Sequence, residues 1–202
     1  LNDAQIPIVY HDEKRDTRGK LRVLSLFSGC GGMDLGFEGS FIANRKSFPE
    51  NSKYIEHIIN KDWLMLKKTK FKTVFANDIL NEAQVAWTTY MSRFGYGEEL
   101  YHNISIVDLV KMQQEGADIF PKDVDVVTGG FPCQDFSVAG KRKGFDSDKD
   151  DYGKKRDSDE PSEATRGKLY FWMKQVVDIV KPKIFVAENV KGILSLHNGK
   201  VF

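Results

Sequence analysis

Short apolar runs alternate with amphipathic stretches along this chain. Leu21–Phe27 is short, apolar and followed by glycines, the pattern of a buried strand, and Met33–Phe37 then opens a helix. Thr73–Ala76 predicts a second strand, ending at Asn77-Asp78. Ala83, Ala86, Trp87, Tyr90, Met91 and Phe94 recur with helical spacing and place one apolar stripe on a helix, which Gly95 stops. Tyr101–Ile104 predicts a short strand, and Ser105-x-x-Asp108 has the form of a capping box opening a short helix. Val124–Thr128 is a third clear strand, ended by Gly129-Gly130. Lys168–Lys181 is a helix with Leu169, Met173, Val176, Val177 and Val180 on one face, stopped by Pro182. Ile184–Ala187 is a further buried strand, ended by Glu188-Asn189.

Three stretches break this rhythm. Residues 1–20 form a polar arm. In Ser47–Lys72, Ile55, Ile58, Ile59, Met65 and Leu66 have roughly helical spacing before a basic end of Lys67, Lys68 and Lys70. This predicts a surface helix with a solvated basic end, DNA contact being the lesser reading. Lys141–Arg166 is charged and without apolar periodicity, which reads as a mobile loop.

Strands alternating with helices imply an α/β fold, a mostly parallel sheet with helices on both faces. Right-handed crossovers then place every strand's C-terminal end on one edge, where open α/β sheets bind ligands. Gly29–Gly32, Asp78, Asn103, Cys133 and Glu188 all fall on that edge. This coincidence is the main physical pointer to an enzyme.

The chain has 202 residues, 41% hydrophobic and 29% charged, a balance that supports one domain with a real core, or one domain plus a fragment of a second. Its 30 Lys and Arg against 29 Asp and Glu argue against nucleic-acid binding by bulk charge alone, while allowing a local basic surface. No apolar run is long enough for a membrane span, and residues 1–20 lack the apolar core of a signal peptide. Cys30 and Cys133 are the only cysteines and lie far apart, so no disulfide framework or zinc spacing exists. A reduced, cytosolic chain is expected. The four histidines are scattered, and no metal site is expected.

The chemistry-bearing residues follow from this map. Phe27-Ser28-Gly29-Cys30-Gly31-Gly32 joins a strand to a helix, and its glycines permit a sharp turn and close ligand approach beside free helix N–H groups. A dinucleotide fingerprint needs a glycine where Asp34 stands, which weakens a nicotinamide reading; a nucleoside with a carboxylate end, or a turn with no ligand, fits as well. Cys30 reads as a small filler. Asp78 ends its strand as a candidate acceptor for ribose hydroxyls, or as a plain turn residue. Cys133 follows two glycines and Pro132, which stiffens the approach to the thiol, and nearby Lys141, Arg142 and Lys143 favour a thiolate. Glu188 is placed near the sheet edge; half-burial there would raise its pKa and suit it to donate a proton, the bland alternative being a cap or salt bridge. Cys133 and Glu188 together suggest a nucleophile and an acid facing one substrate.

Taken together, these motifs resemble the DNA (cytosine-5) methyltransferase family. Leu26-Phe27-Ser28-Gly29-Cys30-Gly31-Gly32 is similar to its first AdoMet motif. Gly130-Phe131-Pro132-Cys133-Gln134, continuing through Phe136-Ser137 to Gly140-Lys141 and Lys143-Gly144-Phe145, is similar to its catalytic motif. Arg166-Gly167-x-Leu169-Tyr170-Phe171 and Glu188-Asn189-Val190 are similar to the next two, in the same order. The resemblance spans residues 21–202 as a catalytic domain with a Rossmann-like methyltransferase fold, incomplete at its C-terminal end. It includes an insertion at about 39–72 and a mobile catalytic loop at about 141–165.

The resemblance implies S-adenosyl-L-methionine as cofactor. It would be held by Phe27, Ser28, Gly29, Gly31 and Gly32, by Asp78 on the ribose, Ile79 against the adenine and Asn103 on the adenine amino group. Ile104, Pro132 and Leu169 complete the set. It implies a cytosine flipped out of double-stranded DNA, attacked at C6 by Cys133 and assisted at N3 by Glu188, with Arg166 close to the base or its phosphate. Gln134, Ser137, Lys141, Arg142 and Lys143 would contact DNA. A restriction–modification role and a prokaryotic, nucleoid-associated location follow from the same likeness.

The family continues past Glu188-Asn189-Val190 with a Gln-Arg-x-Arg element, a target-recognition region and two closing motifs, none present here. That leaves a split-enzyme subunit, part of a longer polypeptide, or an inactive remnant. The intact catalytic positions disfavour the last. A C-terminal segment or second subunit would supply target recognition. A tRNA cytosine-5 methyltransferase shares this chemistry, but such relatives carry Pro-Pro-Cys-Gln where this chain has Phe131-Pro132-Cys133-Gln134. A nucleotide-binding oxidoreductase would leave Cys133 and Glu188 unused. A catalytically silent AdoMet-binding scaffold is the non-enzymatic alternative.

Overall fold

The computed structural model describes residues 19–131 and 169–190. The greater part of the polar arm, the 141–165 loop and residues 191–202 lie outside the described residues.

Eight strands and four α-helices follow in the order β1 (Leu21–Leu26), α1 (Gly32–Glu38), β2 (Ile42–Asn44), β3 (Ile55–Ile58), β4 (Trp63–Leu66), β5 (Phe71–Asn77), α2 (Asn81–Met91), β6 (Tyr101–His102), α3 (Ile106–Gln114), β7 (Val126–Gly129), α4 (Leu169–Val180) and β8 (Ile184–Ala187) among the described residues. Five strands form one sheet in the order β6-β5-β1-β7-β8, with every pair parallel. The chain winds outward from β1 through β5 to β6, then returns to β7 and β8. The topological switch therefore lies between β1 and β7, the crevice where ligands bind in such sheets.

Residue alternation on β1 divides the core. Leu24 and Leu26 point into one cluster with Phe75, Val127, Leu109 and Val110 of α3, and Trp172, Met173 and Val176 of α4. On the other face Ala76 packs with Trp87, Met91, Tyr96, Leu100 and Tyr101. Complete burial of Leu24, Phe75 and Trp87 marks these as principal stabilising contacts, each such side chain contributing about 1.5–3 kcal/mol through removal from water.

The expected helices form, with local differences. On α2 the buried residues are Ala83, Trp87 and Met91, while Ala86 of the anticipated stripe is exposed. A 3₁₀ turn, Ser92–Phe94, then ends at Gly95, which takes the left-handed φ of 79° expected of a stop. Ser105 caps α3, its hydroxyl accepting the Val107 amide at 3.2 Å.

The helix anticipated within Ser47–Lys72 is absent; residues there form β3 and β4. β4 pairs antiparallel with both β2 and β3 in a separate three-stranded sheet of order β2-β4-β3. The cause is local chemistry at Asn60, whose side-chain oxygen accepts the amides of Asp62 and Trp63 at 2.9 and 3.0 Å and turns the chain into a hairpin. Leu64 and Leu66 then face inward, two residues apart, a period of two that the isoleucine spacing concealed.

β8 is present but not buried. Ile184, Phe185 and Val186 are 60%, 59% and 39% exposed. Its apolar run reads as a strand covered on both faces, yet among the described residues it is the last strand of the sheet, with β7 as its neighbour. Its start is anchored through Asp125: the Lys183 and Ile184 amides donate to the Asp125 carbonyl, and the carboxylate accepts the Lys183 ammonium at 2.6 Å and the Arg22 amide at 2.8 Å. The Lys183 contact, then the Arg22 amide, hold the Asp125 carboxyl below its ordinary range.

Candidate functional site at the C-terminal edge of the sheet

The chain leaves β1 through a strained turn. Phe27, Gly29 and Gly31 have φ of 52°, 52° and 87°, and Phe27 is one of few non-glycine residues in that left-handed region. Ser28 holds the turn to β5: its amide donates to the Asn77 carbonyl at 2.8 Å, and its hydroxyl accepts the Asn77 amide at 3.1 Å.

Asp78 continues this link. One carboxylate oxygen accepts the Gly29 amide at 3.0 Å, the other the Leu80 amide at 3.1 Å. The Asn103 side-chain amide donates to the Asp78 carbonyl at 3.0 Å. Buried Asn77 donates to the carbonyls of His102 and Ile104, at 2.8 and 2.7 Å, and so fixes the β6 exit beside it. Gly29, Asp78 and Asn103, distant in sequence, are thus joined directly. Phe27 and Ile104 pack against the cluster that contains buried Leu169. Ile79 is half-buried.

Beneath the turn lies a layer of aromatic and acidic groups to which the sequence assigns no role in the site. The Tyr101 hydroxyl donates to the Gly29 carbonyl at 3.1 Å. Burial, followed by the charges of Asp78, Asp34 and Cys30, pushes the Tyr101 phenol well above its ordinary range, so it remains a donor. Trp87 lies under Gly31 and donates its indole N–H to Asp34 at 2.6 Å. Asp34 is fully buried, and that burial raises its carboxyl to about 6, against the favourable Ser25 and Trp87 contacts and assisted by nearby Glu38. The available signal was the acid just past the glycine-rich turn, in the first turn of α1; its partner, an indole on a later helix, looked like an ordinary core position. Cys30, expected as a filler, is exposed.

The second half of the site lies where β7 meets β8. The Glu188 amide donates to the Gly129 carbonyl at 2.9 Å, and the Asn189 side chain donates to the Phe131 carbonyl at 3.0 Å. A methyl on Gly130 would stand 3.2 Å from the Glu188 carboxylate, so this side chain lies against the segment that leads to Cys133. Glu188 is exposed rather than half-buried, because β8 is itself uncovered among the described residues. Pro132, Cys133, Gln134, Ser137, Lys141, Arg142, Lys143 and Arg166 lie outside the described residues. Among the described residues no group of three or more His, Cys, Asp or Glu is placed to hold a metal ion. No helix there is long and apolar enough to cross a membrane.

Comparisons with known proteins agree with this architecture. The sequence model described as C-5 cytosine-specific DNA methylase matches residues 21–202. The type II methyltransferase M.BsuRI of Bacillus subtilis is 35% identical over 192 residues, spanning 94% of this chain and 36% of that protein. M.BspRI of Lysinibacillus sphaericus is 33% identical over 196 residues, 96% of this chain and 38% of its own. M.NgoFVII of Neisseria gonorrhoeae is 31% identical over 181 residues, 90% of this chain and 33% of its own. The chain thus spans about a third of the length of these relatives, 33–38%. A parallel α/β sheet whose switch point is flanked by the two glycine turns, together with a match over residues 21–202, establishes that this chain belongs to the C-5 cytosine-specific DNA methylase family.

Proposed function

We propose that this chain is the catalytic portion of a DNA (cytosine-5-)-methyltransferase, transferring a methyl group from AdoMet to C5 of a flipped-out cytosine in duplex DNA within a restriction–modification system. The observation that carries this reading is the position of the Glu188 carboxylate, 3.2 Å from where a methyl on Gly130 would stand, shortly before Cys133. It supports an acid and a nucleophile converging on one base across the β7–β8 seam.

The glycine turn fits an adenosine-bearing cofactor. No described residue stands within 4 Å of the position a Gly29 side chain would take, which leaves room for a ligand to approach the backbone there. The Asp78 carboxylate keeps spare lone pairs beyond its two amide bonds and can accept ribose hydroxyls. Asn103 and Ile79 would meet the adenine; Phe27, Ile104 and Leu169, with Pro132, would wall the pocket. AdoMet, when bound, supplies an electrophilic methyl group on its sulfonium.

In this reading the Cys133 thiolate adds to cytosine C6 and pushes electrons toward N3 and C5. Glu188 donates a hydrogen bond or proton at N3, which keeps negative charge from building on the ring. C5 then takes the methyl group. The C5 proton then passes to solvent, its bonding pair re-forms the C5–C6 double bond, and the C6–sulfur pair leaves with Cys133 as the thiolate. Arg166 would steady the base or its phosphate, and Gln134, Ser137, Lys141, Arg142 and Lys143 would contact DNA, with residues 141–165 closing over the flipped base. The exposed apolar β8 supports a requirement for a C-terminal portion or partner subunit, which would cover it and supply target recognition.

The test is transfer of labelled methyl from AdoMet to mixed-sequence duplex DNA, by the chain alone and joined to a C-terminal portion. Cys133→Ser should abolish transfer and leave AdoMet binding within about twofold, since the nucleophile carries only the chemical step. Glu188→Gln should slow turnover by about 10²–10⁴-fold, because an amide delivers no proton. Unchanged turnover in either variant would overturn the assigned role. Equal rates on RNA would move the substrate to tRNA.

A further inference from the structure

Asp34 and Trp87 have no part in the proposed chemistry, yet they sit directly behind the glycine turn. Both are fully buried. The Trp87 indole is the floor under Gly31: a methyl there would come within 2.7 Å of its ring. Its orientation is set by the 2.6 Å bond from its N–H to the Asp34 carboxylate. Trp87 also packs against Tyr101, with ring centroids 5.4 Å apart, and the Tyr101 hydroxyl holds the Gly29 carbonyl. One aromatic pair therefore supports the turn at two points.

A buried carboxylate is an expensive way to hold an indole. Taking a charge out of water is costly, and an apolar residue of similar size would avoid that cost. One Asp34 oxygen makes no good hydrogen bond among the described residues. Packing alone does not call for an acid here.

We infer that Asp34 is a positioning residue for the cofactor turn: by orienting Trp87 under Gly31 it sets the height of the Gly29–Gly31 backbone that faces AdoMet. This rests on the AdoMet reading above. Burial raises the carboxyl to about 6, with Glu38 of its own helix and Tyr101 of β6 facing it and Ser25 of β1 beside it. Below about pH 6 the indole therefore meets a neutral acid, a poorer acceptor than a carboxylate.

The experiment uses the 202-residue chain. The Trp87 indole N–H resonance, assigned by its loss in Trp87→Phe, should shift with a midpoint near pH 6 in the wild type and stay flat in Asp34→Asn. At pH 8 Asp34→Leu should weaken AdoMet binding about tenfold or more without lowering the melting temperature, while Asp34→Asn, which keeps an acceptor, should stay within about threefold. Trp87→Phe should weaken binding to a similar degree, and combining it with Asp34→Leu should add little. Wild-type affinity should fall below pH 6 and that of Asp34→Asn should not, which tests the idea even if Asp34→Leu fails to fold. Equal AdoMet affinity across folded variants, or a loss that follows melting temperature alone, would overturn the positioning role and leave the AdoMet reading in place. A wild type that binds no AdoMet would overturn both.

Discussion

The Asp78 carboxylate accepts the Gly29 amide at 3.0 Å, tying the end of β5 to the turn that leaves β1. Its other oxygen holds the Leu80 amide at the approach to α2. Asp78 therefore shapes two backbone segments of the candidate cofactor site as well as offering lone pairs of its own.

Asp78→Ala is expected to weaken AdoMet binding by more than about tenfold, since it removes a ligand acceptor and releases the turn. Asp78→Asn keeps one acceptor and turns an amide donor toward one of the two backbone N–H groups, so its loss should be intermediate. Titration calorimetry on the three proteins checks the order; equal affinities would remove Asp78 from the site.

Gly29 and Gly31 should respond differently to alanine. At Gly29 the added methyl meets none of the described residues, and only the left-handed φ of 52° is penalised, about 1–2 kcal/mol. At Gly31 the methyl also strikes the Trp87 ring, so the loss should exceed about 3 kcal/mol. Urea unfolding of both variants measures the gap, and a Gly31→Ala protein as stable as Gly29→Ala would mean that Trp87 is not the floor.

Stability should carry the mark of Asp34. Burial raises its pKa from 3.8 to about 6, so the folded chain holds this proton at pH values where the unfolded chain has lost it. Its contribution is fully present below pH 3.8 and is lost as pH rises through 6, a cost of roughly 3 kcal/mol by pH 8. Asp34→Asn should accordingly be more stable than wild type at pH 8, with the difference shrinking toward pH 4. Denaturant midpoints across that range provide the check; a constant difference would contradict the assigned environment.

The ion pair at the start of β8 should matter less than the backbone bond beside it. Lys183 is 75% exposed on its side chain, so Lys183→Met is expected to cost less than about 1 kcal/mol. Asp125→Ala removes the acceptor of the Arg22 amide and should cost about 1–3 kcal/mol. Because the Asp125 carboxyl is lowered, its contribution is present above the ordinary aspartate range and disappears as pH falls through its folded pKa. Equal losses in the two variants, measured by denaturation at pH 7, would reverse this ranking.

Phe185→Ser tests the open side of β8. With 59% of Phe185 exposed, stability of the 202-residue chain should change by less than about 0.5 kcal/mol. Methyl transfer restored by a C-terminal portion should nevertheless fall. A large loss of stability in the chain alone would mean that β8 is already covered.

Much of the fold was legible in the sequence because it is local. β1, β5, β7 and β8 are short apolar runs ended by glycine or polar residues, and α2 and α4 show helical spacing that needs no knowledge of their partners. Order along the chain then sufficed to place Gly29, Asp78, Asn103 and Glu188 on one edge, since parallel strands share a direction. Residues 47–72 resisted that reading because one Asn60-centred turn changes the period from helical to alternating, and apolar spacing does not register where a hairpin folds back. Burial of β8 depends on what lies beside it, which a four-residue run does not contain. The Asp34–Trp87 bond spans 53 positions and arises only when α1 and α2 pack on the same face of the sheet. Most elements, their order and the shared edge of Gly29, Asp78, Asn103 and Glu188 follow from the chain alone, because periodicity and backbone preference act over a few residues. Tertiary structure alone decided which side chains meet behind that edge, because burial and hydrogen bonding between distant segments exist only once the layers are packed.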